Sequence, residues 1–141
     1  MFSQILCLLY LLTISFFDLC TGRIPNFITF GFFAFMLLID IFTVPSKIPG
    51  HLLCAAFFFF LFLCISLLTK GLGMGDVKLA AVVGYCKGFF NTSYILILAS
   101  ILGLFIFIFS HFLKKEIKKI PFAPFVTAGY LVSEMFCRRI L

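Results

Sequence analysis

The sequence predicts an all-α polytopic membrane protein, one domain over residues 1–141 with about six transmembrane helices in one bundle. Two observations carry this. Hydrophobic residues make up 64% of the chain and charged residues 11%, where soluble domains run roughly half apolar and a quarter charged. The apolar residues also fall in runs that approach the length of a helical span, about 20 residues. Inside a bilayer every backbone N–H and C=O must be paired within the protein, so such runs become helices.

The first run covers residues 2–17 and stops at Asp18. It has neither the positive start nor the small-residue cleavage site of a signal peptide, so a retained span is expected. The second run, 27–44, is interrupted near its far end by Asp40. The clearest spans are 51–69 and 92–113, neither of which contains a formal charge. Residues 75–90 form a shorter apolar stretch with Lys78 and Lys87 near its ends, either tilted, partly buried in protein or not fully crossing. The last segment, 120–136, contains Pro121, Pro124, Gly129 and Glu134, and is expected to bend at its start. The connections are short: DLCTGRIPN, PSKIPG, KGLGMG and KKEIKK. No repeat, low-complexity tail or interdomain linker interrupts them.

The net charge of +6 is read as lipid contact, not nucleic-acid binding, because the cations sit in short loops and no polar segment interleaves them with aromatics. With six spans, one side holds Arg23, Lys70, Lys78, Lys114, Lys115, Lys118 and Lys119. The other holds Lys47, Lys87, Arg138 and Arg139. The richer side is cytoplasmic by the positive-inside rule. The chain is then a multi-pass protein of a bacterial-type inner membrane, its N-terminus outside and Asp18 and Asp76 on the cytoplasmic face. A five-span path would place KKEIKK outside and nearly level the charge split, so the rule favours six.

The cysteines are Cys7, Cys20, Cys54, Cys64, Cys86 and Cys137. None forms a CxxC pair and most lie in apolar runs, where cysteine packs as a small hydrophobe. Neither a disulfide framework nor a zinc site is expected.

An ionisable residue in or beside a membrane span is costly and is a functional candidate by default. The acidic residues are Asp18, Asp40, Asp76, Glu116 and Glu134. Glu116 lies among lysines, and Asp40 and Glu134 fall toward the opposite face. Asp18 ends the first span and leads into a loop with Gly22, Arg23 and Pro25. Asp76 follows Gly71, Gly73 and Gly75, which permit close approach of an extended substrate backbone. Both aspartates could simply cap helices. Together they could instead hydrolyse a peptide, one carboxylate taking a proton from water while the other, protonated, holds the scissile carbonyl. Two carboxylates within a few ångströms do not readily ionise together, and their titrations belong to the pair. Arg23 and Lys78 lie near enough in sequence to tune that balance.

Three stretches resemble the type IV prepilin peptidases, GxGD-type intramembrane aspartic proteases. Asp18-Leu19-Cys20-Thr21-Gly22-Arg23-Ile24-Pro25-Asn26 is similar to the first-aspartate loop with its IPN element. Gly73-Met74-Gly75-Asp76-Val77-Lys78-Leu79 is similar to the GxGDxKL element. Ile120-Pro121-Phe122-Ala123-Pro124 resembles the proline motif opening the last helix. The resemblance implies a six-helix fold and metal-independent proteolysis without a cofactor. Asp18 and Asp76 would be catalytic, with either able to act as the base. Gly73, Gly75, Lys78, Arg23, Pro25, Asn26, Pro121 and Pro124 would bind substrate or support the site. The implied partner is a pilin-like precursor, whose short basic leader is removed before a hydrophobic helix, with pilus or secretion machinery nearby. The longer, bifunctional members carry a cysteine-bearing insertion near the N-terminus and also methylate the product. This chain lacks the insertion, so N-methyltransferase activity is not expected. The other classes weighed are a small proton-coupled transporter, which would show inverted repeats and broken helices at the midplane, and a non-catalytic assembly partner.

Overall fold

The computed structural model describes residues 2–22, 24–69, 73–112 and 122–140. Five helices occur among them: α1 (Phe2–Thr21), α2 (Asn26–Thr43), α3 (Ile48–Thr69), α4 (Met74–Phe112) and α5 (Ala123–Ile140), with a 3-10 turn at Pro45–Lys47 between α2 and α3. The protein is a helical membrane protein. Among the described residues, four helical stretches are long and apolar enough to cross a bilayer: Ser3–Thr21, Asn26–Thr43, Pro45–Leu68 and Met74–Ile106.

Helix boundaries differ from the sequence expectation in informative places. The first helix does not stop at Asp18 but runs one turn further, so Asp18 projects from its side. Gly22 then ends it in the left-handed region at φ 61°, with its N–H donating to the Asp18 carbonyl over 2.9 Å. A residue in this conformation just past a helix is the usual glycine stop. Helix α3 starts before the expected residue 51 because Pro49 fits a first turn, where its missing N–H has no intrahelical acceptor to lose. Helix α5 starts at Ala123, after the expected residue 120.

The stretch α4 is two limbs, residues 74–87 and 89–112, broken at Gly88 (φ 73°, ψ −179°). The Thr92 hydroxyl donates to the Val83 carbonyl over 3.1 Å. In a straight helix those residues would stand about 13 Å apart along the axis, so the chain folds back at Gly88 and the limbs lie side by side. The first limb alone is about 21 Å long, shorter than a hydrocarbon core of about 30 Å. The expected break between the segments 75–90 and 92–113 thus exists, but at Gly88 and not after residue 90.

One face of each helix builds the core. On α1 it is Cys7, Leu11 and Ile14, all fully buried, a stripe at helical spacing. Across from it lie Val77, Ala80 and Val83 of α4 and Val126 and Tyr130 of α5. Helices α1 and α5 run antiparallel. The Tyr130 hydroxyl donates to the Gln4 carbonyl (2.8 Å) and the Thr127 hydroxyl to the Leu11 carbonyl (3.3 Å). Gly129 lets α5 sit directly on the second limb of α4, where a Cβ would stand 2.7 Å from the Ile95 carbonyl oxygen. Small residues at such crossings are how membrane helices gain packing contact. The result brings the end of α1 and the starts of α2, α4 and α5 to one end of the bundle.

Candidate active site

Asp18 continues the buried stripe of α1, one turn beyond Ile14, and is 8% exposed. Its Oδ2 accepts the backbone N–H of Ala123 over 3.1 Å. That amide opens α5 and has no acceptor within its own helix, and a carboxylate is well placed at the positive end of a helix. Pro124 follows in the first turn, where a proline costs nothing. The Phe122 carbonyl closes the turn by accepting from Phe125 and Val126 (3.1 and 3.2 Å).

Asp76 stands in the first turn of α4. The Gly73 carbonyl accepts the amides of Asp76 (3.0 Å) and Val77 (3.4 Å), and Gly73 Cα lies against the Asp76 carboxylate, a Cβ there meeting Oδ2 at 3.5 Å. Asp76 is half-buried, and it lies within electrostatic reach of Asp18. The two carboxylates that the sequence singles out are therefore brought together.

The loop between α1 and α2 lies over the turn that carries Asp76. A Cβ on Gly75 would stand 2.9 Å from Ile24 Cβ, closer than side-chain carbons approach, so glycine is required by contact with Ile24. Pro25 caps α2 with extended backbone (φ −69°, ψ 123°) and its carbonyl accepts the Thr29 hydroxyl (3.3 Å). Lys78 Nζ donates to Asn26 Oδ1 over 2.8 Å and lies 5.1 Å from the Phe30 ring centroid. The lysine thus ties the start of α2 to the first turn of α4 instead of pairing with a carboxylate. Among the described residues, no cation forms an ion pair with Asp18 or Asp76.

A family model described as the type IV leader peptidase family matches residues 5–108. The chain belongs to the type IV leader peptidase family. The matched segment includes Asp18, Ile24–Asn26 and Gly73–Lys78; α5 lies beyond it. Comparison with curated proteins and with solved structures returns no match. Membership makes the protein a type IV leader peptidase-like protease, and pilin precursors are the substrates of that family in general.

Of the site residues expected from sequence, Gly73, Gly75, Lys78, Pro25, Asn26 and Pro124 gather around the two aspartates. Arg23 and Pro121 lie outside the described residues, as does KKEIKK. Asp40 and Glu134 are at the other end, where His51 Nδ1 comes within 3.9 Å of Asp40 and Lys87 forms an ion pair with Glu134. Two participants were not singled out from sequence. Ile24 is the surface against which Gly75 fits, and the Ala123 amide holds Asp18 across 105 positions of chain. Ile24 sits in the IPN element and was within reach of the motif; a backbone amide carries no sequence signal.

Proposed function

We propose that Asp18 and Asp76 are the catalytic dyad of an aspartic endopeptidase that removes the short basic leader of a pilin-like precursor. The observation that carries this reading is the approach of two carboxylates on separate helices, neither of them ion-paired to a cation among the described residues. The ionised member takes a proton from water, and the water oxygen attacks the scissile carbonyl carbon. The protonated member gives its proton to the carbonyl oxygen, forming a gem-diol. Return of a proton to the amide nitrogen breaks the C–N bond, frees the amine and resets the pair with one shared proton. Asp18, tied through Oδ2 to Ala123, and Asp76, packed against Gly73, each keep an oxygen for this chemistry. The charge distribution supports a six-span topology with the dyad at the cytoplasmic face of an inner membrane.

One observation favours the capping reading. Asp18 accepts the first amide of α5, and Asp76 lies in the first turn of α4 beside Gly73. Asparagine caps a helix about as well as aspartate but cannot exchange the proton. Purified wild type, Asp18→Asn and Asp76→Asn, incubated in detergent with a pilin-like precursor and read by product mass, therefore separate the two. Loss of leader removal in both variants, with helix content and melting retained, supports catalysis; cleavage at the wild-type rate leaves only capping.

A further inference from the structure

An open groove of about 440 Å³ lies between α1 and α2, lined by Leu6, Tyr10 and Thr13 on one wall and Phe27, Gly31 and Phe35 on the other. We propose that this groove holds the apolar, membrane-embedded helix of the protein substrate, seated so that the chain leaving its end crosses the carboxylates. The proposal rests on the dyad reading.

Continuity with the site selects this occupant. Asp18 lies about 8 Å further along α1 than Thr13, on the adjoining buried face of that helix. The wall on α2 starts at Phe27, 91% exposed, beside the Asn26 that Lys78 holds two residues after Asp76. The groove therefore opens at the end of the bundle where α1 carries Asp18 and the start of α2 is tied to the turn of Asp76. A protein cut at this end of the bundle has one flank in the membrane, where backbone must pair internally, and that flank is an apolar helix.

The lining suits a helix. Tyr10 and Phe32 stack at 4.1 Å between centroids and form a flat floor. The Thr13 hydroxyl donates to the Leu9 and Tyr10 carbonyls of its own helix (3.0 and 2.8 Å), so no hydrogen-bond demand is made on an occupant. Gly31 is the least explained residue of the wall. It sits inside α2, where glycine is less favourable than alanine, yet nothing lies within 4 Å of the position its Cβ would take. No described residue requires glycine there. A second helix approaching closely does.

Because that space is empty, Gly31→Trp fills the groove without an internal clash. Two substrates are compared: a pilin-like precursor carrying its apolar segment, and a soluble peptide that spans the leader and scissile bond but stops before that segment. In Gly31→Trp the ratio of kcat/KM for precursor over peptide falls about tenfold, through KM for the precursor. Ile97→Trp, on the outward face of α4 and 58% exposed, leaves the ratio at the wild-type value. A second measurement needs no turnover. In an Asp18→Asn background, a photoreactive benzophenone side chain at position 31 crosslinks the apolar segment of the precursor, and the same group at position 97 does not. A wild-type ratio in Gly31→Trp, or crosslinks at position 31 to lipid alone, overturns the proposal. Cleavage by Asp18→Asn overturns the dyad reading instead and is seen independently of either.

Discussion

The two ends of the bundle treat charge in opposite ways. At the end away from the site, acids meet bases. Lys87 pairs with Glu134 and stands 4.4 Å from the Tyr130 ring centroid, while Asp40 faces His51. At the other end two acids lie within electrostatic reach of each other, and Lys78, two residues from Asp76, is drawn off to Asn26. A charge that must be hidden in a membrane protein is neutralised by an opposite one. Like charges held together by a helix start, a glycine turn and a tight loop are arranged against that tendency, and such arrangements mark reactive groups. The far end neutralises its charges, and the near end holds two like charges close.

The largest effect comes from making the near end resemble the far one. Asp76→Lys gives Asp18 an opposite charge. Leader removal is expected to fall by about a thousandfold or more, while the melting temperature in detergent does not drop. A variant that still cleaves would erase the distinction between the ends.

The converse change unpairs the far end. Glu134→Gln leaves Lys87 without its counter-charge and lowers stability by about 3 kcal/mol, read by thermal or denaturant unfolding. Cleavage per folded molecule stays at the wild-type value. Adding Lys87→Met to Glu134→Leu recovers most of the loss, because an apolar pair needs no neutralisation. A fall in turnover per folded molecule would show that the far end also serves the reaction.

Smaller effects test how the near end is held. Gly75→Ala drives a methyl into Ile24 and costs about 1–3 kcal/mol, slowing cleavage; Ile24→Gly in the same chain restores much of the rate. Removing Ile24 without rescue would place the role of Gly75 elsewhere. The Asn26–Lys78 hydrogen bond is worth about 1 kcal/mol. Asn26→Ala and Lys78→Met are each expected to slow cleavage several-fold, and the double variant no more than either, the signature of one shared interaction.

Much of this was legible in the sequence, for particular reasons. Apolar runs reveal membrane helices because backbone in lipid has few alternatives. Asp18 and Asp76 stood out because acids are scarce in such a chain, and the glycines before Asp76 announced a crowded turn. Helix ends were less legible. Residues 18–21 continue α1 because nothing stops the helix before Gly22, and the fold-back at Gly88 was hidden by the apolar residues on both sides. Long-range pairings were not legible at all. Nothing local in Lys87 names Glu134 as its partner, and Asp18 meets a backbone amide of α5 that any residue but proline would offer.

The claim at the centre of this account is that Asp18 and Asp76 act as one unit. It is tested most directly by single-turnover leader removal with Asp18→Asn, Asp76→Asn and the double variant, at equal concentrations of folded protein. Groups that act together are strongly non-additive, so each single variant should be as slow as the double one. A single variant that retains substantial cleavage, or a double variant slowed by the product of the two single effects, would contradict the dyad.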